Sequence, residues 1–154
     1  MGDIALQWDL DAGGADLYLE DDDLASDEGL RTAVLLSLFT DRRADEADVL
    51  PGEDDDRRGW WADEFAAVEG DLFGSRLWLL DRGKILSDTA ARAKSFAEEA
   101  LAWLIEDRVA SALDVQVLID GHVLSMVVVI TRPAGDEATY RFAHAWEGEA
   151  ANAV

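Results

Sequence analysis

Between Phe96 and Trp146 the apolar pattern changes its period, and that change restricts the possible folds more than any other feature. Phe96, Ala100, Trp103 and Leu104 are spaced i, i+4, i+7 and i+8, the stripe of a helix with one face on a core. From Leu113 the period becomes two. Leu113, Val115, Val117 and Ile119 alternate with other residues, and Asp120-Gly121 marks a turn. Val123 to Thr131 is then rich in Val and Ile, Pro133 to Asp136 marks a second turn, and Thr139 to Trp146 forms a third run. Strands joined by such short turns pair antiparallel, so this half predicts a three-stranded meander. Helices ahead of a hairpin-connected sheet give an α+β fold with the helices on one face.

Upstream, Ile4, Leu6 and Trp8 alternate, and Leu17 and Leu19 follow the turn signal Gly13-Gly14, which predicts an N-terminal β-hairpin. Ser26 is placed to cap a helix beginning at Asp27-Glu28, whose acids suit its positive end. Leu30, Val34, Leu35 and Leu38 carry that helix to about Thr40. Residues 41–73 read as a long polar loop holding Trp60 and Trp61, and loops of this length are usually functional. Leu77 to Leu80 is a short apolar turn of helix that stops around Gly83. Ser87 or Thr89 caps the second main helix, which the pattern carries to about Ala110. No internal repeat is visible. The expected organisation is one domain over residues 1–146 with a loose tail at 147–154.

Charge narrows the function. The 154 residues hold 13 Lys+Arg and 34 Asp+Glu, a net charge of −21, yet 49% are hydrophobic, which argues for a folded core. Residues 1–72 carry 22 of the acids and 5 of the bases, so −17 of the charge lies in the first half. Such a surface repels duplex DNA and anionic membranes, both of which bind through Lys and Arg, so neither is an expected partner. The apolar stretch Met126 to Ile130 is far short of the roughly 20 residues of a membrane helix. Asp3 and Asp9 stand where a secretory leader would be basic, so none is expected. The acids concentrate in Glu20 to Asp23 and Glu53 to Asp56, two EDDD tracts read as solvated loops. Arg42-Arg43 and Arg57-Arg58 bracket the second, which suggests a locally neutralised loop.

Catalytic chemistry finds little support. With no Cys there is no thiolate nucleophile or ligand, and two His leave little for a metal site, so no metal and no cofactor is expected. Asp9, Asp11, Gly14 and Glu20 fall on positions 1, 3, 6 and 12 of a calcium-loop template. Gly13 replaces an oxygen donor and Asp16 an apolar anchor, so a hairpin turn is the better reading. Glu64, Glu69 and Asp71 could form carboxylate pairs, but among 34 acids proximity in sequence carries almost no information. His122 at a turn and His144 on the last strand accompany no hydrolase, Walker or zinc motif. The chain is expected not to be an enzyme.

Two features read as protein-interaction residues. Trp60 and Trp61 follow Arg57-Arg58-Gly59, and rigid aromatics beside Arg are typical interface anchors. Neighbours in an extended segment point opposite ways, so one Trp is expected inward and one outward. Glu106-Asp107-Arg108 close the second main helix. There the acids face the negative end of the helix dipole, at roughly 0.3 to 1 kcal/mol per exposed acid, so a compensating partner is implied. Glu106 and Arg108, two apart, would not pair on a continuing helix, so each needs its own partner or the helix ends between them.

Four runs together carry a resemblance: Gly29 to Arg43 (GLRTAVLLSLFTDRR), Arg58 to Trp61 (RGWW), Gly74 to Leu80 (GSRLWLL) and Glu99 to Arg108 (EALAWLIEDR). Their order over nearly the whole chain resembles the phage Mu-type baseplate wedge protein family. That family is similar in turn to the T-even baseplate wedge protein on which the contractile tail sheath starts, and to its type VI secretion counterpart. Those relatives carry Glu-Pro-Arg where a helix leads into the sheet, and it contacts neighbouring wedge proteins. Here the triplet is Glu106-Asp107-Arg108, with Asp in place of Pro. The resemblance implies a structural baseplate wedge component of a contractile phage tail or tail-like particle, one copy per wedge and several per particle. Its implied partners are other baseplate wedge proteins and the tail sheath protein, the latter gained by strand addition to an open edge at Leu113–Ile119 or Thr139–Trp146. It further implies assembly in the bacterial host cytoplasm, residence in the virion baseplate, and a role in templating the first sheath ring. The rival from charge alone is an acidic DNA-mimic decoy that inhibits a nucleic-acid-binding enzyme, although the acids cluster in two loops and not along one helix face.

Overall fold

A computed structural model describes the backbone of residues 3–4, 6–9, 14–17, 19–20, 23–24, 26–27, 30–81 and 87–145, and the side chains of 30–81 and 87–143. Six short strands come first: β1 (Asp3–Ile4), β2 (Leu6–Asp9), β3 (Gly14–Leu17), β4 (Leu19–Glu20), β5 (Asp23–Leu24) and β6 (Ser26–Asp27). β2 and β3 form the expected N-terminal hairpin, with Leu6 opposite Leu17 and Asp9 opposite Gly14. Asp11 and Gly13 of the calcium-loop template lie outside the described residues. The first EDDD tract begins and ends in an antiparallel pair, Glu20 opposite Asp23. Ser26 corrects one expectation. It sits in β6 opposite Ile4, in a strand where a helix cap was expected, and α1 is described from Leu30 to Phe39.

α1 turns Val34, Leu35 and Leu38 inward, as their spacing requires. Its end is clamped by the run after the long loop. Gly74 adopts φ +95°, and a Cβ there would stand 2.3 Å from the Thr40 carbonyl oxygen, so only glycine fits. That approach lets the Ser75 N–H donate to Thr40 O at 2.9 Å and the Arg42 N–H donate to Ser75 O at 2.9 Å. The buried Ser75 hydroxyl donates to the Leu38 carbonyl, one of the helix-end acceptors that α1 cannot satisfy internally. Leu77–Leu80 then forms a single 3₁₀ turn with Trp78, Leu79 and Leu80 buried, and the Trp78 indole N–H donates to Arg42 O at 2.8 Å.

The second main helix is α2, Thr89–Leu101, followed after Ala102 by one more turn, α3, Trp103–Glu106. Asp88 occupies the cap position with no side-chain cap bond, and Thr89 is the first helical residue and buried, so neither Ser87 nor Thr89 caps the helix as expected. Ala93, Phe96, Ala97, Ala100, Leu101 and Leu104 line its buried face. The helix stops at Glu106, short of the expected Ala110, because Arg108 takes the left-handed φ of +59° and turns the chain back. The Ala110 N–H then closes on the Leu104 carbonyl at 2.8 Å.

The meander follows as β7 (Ala112–Asp120), β8 (Val123–Thr131) and β9 (Glu137–Ala145), all antiparallel with β8 in the centre. Asp120 faces Val123 across a two-residue turn whose first residue, Gly121, has φ +58°, as a primed hairpin turn with leading Gly demands. In β8 Leu124, Met126, Val128 and Ile130 are buried while the alternate residues are only half-buried, so one face is covered and one is not. α2 packs on β7 and against α1, and together they form the covered side of an α+β fold. β9 begins two residues before the expected Thr139, and Trp146 and the 147–154 tail lie outside the described residues.

Candidate functional site

Glu106, Asp107 and Arg108 form an exposed helix end. Glu106 is the last residue of α3, Asp107 caps it with φ −84°, and Arg108 leaves in the left-handed region, so the helix does end between the two charged residues. None of the three has an ion pair among the described residues. A bulky residue at positive φ costs roughly 1 to 2 kcal/mol that Gly would not, and Glu106 adds an acid at the negative end of the helix. Both are unfavourable for the isolated fold, and among the described residues no ion pair offsets them.

Trp60 and Trp61 lead into a 3₁₀ turn, Trp61–Phe65. The expected inward and outward split does not occur: Trp60 is 41% exposed and Trp61 74%. The turn keeps both on the outside, where Trp60 rests on Phe73 with centroids 5.0 Å apart and Trp61 meets Phe65 edge-on at 6.4 Å. The core position goes to Trp78 instead. Arg58, held at φ +51°, places its guanidinium 4.4 Å above the Trp78 ring and donates to Asp41 Oδ2 at 2.8 Å.

The paired arginines do not neutralise the second acidic tract. Arg57 donates to the carbonyls of Asp45 and Glu46, Arg43 to the Arg58 carbonyl, and Arg58 to Asp41. Among the described residues, Asp56 alone of Glu53 to Asp56 has a side-chain partner, its Oδ1 accepting the Arg58 N–H at 2.8 Å. Guanidinium forks here shape loop backbone, which leaves the tract's charge in solvent.

The main ion-pair hub was not visible in the sequence. Arg76 is 17% exposed and reaches Asp45 at 2.8 Å, Asp48 at 3.0 Å and Glu99 at 3.0 Å, with its guanidinium 4.9 Å from the Phe96 ring. Burial alone would lower its pKa, but hydrogen bonds and charge from Asp48 and Glu99 raise it above the ordinary arginine value. Arg42 lies 4.0 Å from Glu99. Arg76 thus ties the 45–48 segment, 28 to 31 residues before it, to Glu99 of α2, 23 residues after it. The hub's one signal in the sequence is the run Gly74 to Leu80, which carries Arg76 but no pattern that pairs it with Asp45, Asp48 or Glu99.

Between α1, the 60–74 segment and the α2–α3 junction opens a cleft of about 780 Å³, and it brings Trp60 and Glu106 to one site. Trp61 and Arg108 do not line it. Leu36, Phe73 and Trp103 supply apolar wall, with the Trp103 indole N–H held by Ser37 Oγ at 3.1 Å. Asp71, Glu106 and Asp107 supply exposed acids. Asp63 Oδ1 accepts the Phe73 N–H at 3.0 Å and so ties the two sides of the loop. Among the described residues no cluster of three or more metal-binding side chains forms, and no helix is long and apolar enough to cross a membrane.

The model of the phage protein GP46 family matches residues 30–137, from α1 to the start of β9. The chain belongs to this family. It is 42% identical over 150 residues to the baseplate protein gp46 of Escherichia phage Mu, covering 96% of this chain and 99% of that protein. It is 36% identical over 149 residues to the Mu-like prophage FluMu protein gp46 of Haemophilus influenzae, covering 95% and 98%. The Mu-type resemblance carried by the four runs therefore extends over nearly the whole chain. In the structure those runs form the clamp on α1, the Arg58–Trp78 contact, the Arg76 hub and the exposed helix end.

Proposed function

We propose that this GP46-family chain is a structural, non-enzymatic component of a phage tail baseplate, one copy per wedge, which links the wedge scaffold to the first ring of the contractile sheath. It resides in the virion baseplate after assembly in the host cytoplasm. The observation that carries the reading is the Glu106–Arg108 helix end, whose strained arginine and acid, unpaired among the described residues, are costs a partner surface would offset. Near-full-length identity to a protein named for the baseplate supports the same reading.

The mechanism is templating. Glu106 and Arg108 engage the wedge scaffold, Trp60 and Trp61 add aromatic anchors, and the sheet offers an edge to the sheath. Among the described residues neither β7 nor β9 has a second neighbour, so each presents unpaired N–H and C=O groups that an added strand would satisfy. The charge of −21 keeps the free subunit soluble before its partners arrive.

The deciding experiment is a pull-down of the purified chain against co-expressed products of the neighbouring tail genes, beside Glu106→Ala combined with Arg108→Ala. Capture of wedge or sheath proteins, lost in the double variant with its circular dichroism unchanged, is the expected result. Binding to a nucleic-acid enzyme but to no tail protein would replace the baseplate reading with the acidic decoy.

A further inference from the structure

We infer that the cleft between α1, the 60–74 segment and the α2–α3 junction is a docking groove for a segment of a baseplate partner in which an apolar side chain is flanked by Arg or Lys. The inference rests on the baseplate reading and adds to it a second contact surface with a stated chemistry.

Charge complementarity identifies the occupant. Asp71, Glu106 and Asp107 are exposed on the rim, and none has an ion pair among the described residues. Arg42 is the one cation among the lining residues, and it is 19% exposed and directed to Glu99. Acids that converge on a partly apolar cleft favour a cationic ligand, because low-dielectric walls concentrate their field. The walls state the second requirement. Leu36 and Trp60 are each 41% exposed, and Phe73 and Trp103 continue the apolar surface between them. An apolar side chain inserted there would remove this area from water at about 25 cal/mol per Å².

The surface does not stop at the cleft. Trp60 lies 5.9 Å from Trp61, which meets Phe65, and these two are 74% and 77% exposed outside it. A strip that runs from a cleft onto open surface suits a polypeptide better than a small molecule, and aromatic residues at that margin are what protein interfaces use as anchors. The walls are also incompletely satisfied. Asp63 Oδ2 lines the cleft and is buried without a hydrogen-bond partner among the described residues, an acceptor that an Arg or Lys donor on the occupant would satisfy.

The test places the photo-crosslinker p-benzoylphenylalanine at Ala66, an exposed lining residue, and co-expresses the chain with the products of the neighbouring tail genes. Mass spectrometry should locate the crosslink in a partner segment where Arg or Lys lies within one helical turn of a large apolar residue. Asp71→Lys and Ala66→Trp, each with unchanged circular dichroism, should lower capture of that partner at least tenfold, and capture by the unsubstituted chain should fall as salt rises. Crosslinks to an acidic segment or to a second copy of this chain would overturn the inference. So would full capture by both cleft variants, and if Glu106→Ala with Arg108→Ala still lost capture, the baseplate reading would survive. Failure of the unsubstituted chain to capture any tail protein would overturn both.

Discussion

Two residues with left-handed backbone show opposite uses of the same geometry. Gly74 takes φ +95° because Thr40 leaves no room for a Cβ, and the contact clamps the end of α1. Gly74→Ala should cost about 2 to 4 kcal/mol, combining a strained φ with a backbone clash, as a shift in denaturant midpoint would show. Arg108 takes φ +59°, and its side chain has no ion pair among the described residues. Arg108→Gly should therefore raise stability by about 1 kcal/mol in a thermal melt while weakening capture of tail proteins. A variant that gains stability and loses binding would separate the two demands on that position. Neither backbone angle could be read from the sequence, since arginine is rarely left-handed and a lone Gly-Ser reads as an ordinary loop.

At the scale of elements, the sheet follows from its own alternation while the loop depends on contacts made far away. β8 matches its expected bounds because turn residues close it at both ends, and its register follows from the alternating β7, whose Leu113, Val115 and Val117 face Ile130, Val128 and Met126. The 41–73 segment carries no such period. Its position depends on Arg76, and Arg76→Met should destabilise by about 2 kcal/mol by stranding Asp48 and Glu99, measured by chemical denaturation. Its raised pKa makes its contribution fully present below the ordinary arginine value and lost only at strongly alkaline pH, so the effect of Arg76→Met should be constant near neutrality. The β8–β9 turn behaves in the opposite way. A hydrogen bond from Arg132 lowers the pKa of Asp136 below the ordinary carboxylate value, so its contribution is present above that value and is lost as pH falls through the lowered one. The protection of the Gly135 amide, its intrinsic exchange rate divided by the observed one, should fall as pH drops through that acid window, and Asp136→Asn should remove this pH dependence.

For the whole molecule, the excess of 34 acids over 13 bases and the one-sided sheet set the terms of association. The free subunit should remain monodisperse in sedimentation at neutral pH and low salt, and self-associate as pH approaches its isoelectric point of about 4.1. Self-association at neutral pH in low salt would show that charge does not hold the copies apart. Both the open strand edges and the aromatic strip are surfaces that aggregate when nothing opposes them, and a high like charge opposes contact between copies without blocking a basic partner.

Periodicity and turn residues were enough to establish the class of fold, the meander and the two main helices, because those depend on contacts close in the chain and on which face of an element is apolar. The ordered runs were enough to indicate the family. Where α1 begins, where the second helix ends and which tryptophan enters the core were decided by tertiary structure. Ser26 pairs with Ile4, Arg108 reverses the chain so that Ala110 closes on Leu104, and Trp78 rather than Trp60 or Trp61 fills the interior. Each outcome is a competition between a local preference of a kcal/mol or so and a hydrogen bond or buried surface from elsewhere. The cleft is the extreme case, since Leu36, Trp60, Phe73 and Glu106 meet only when the loop is drawn across both helices.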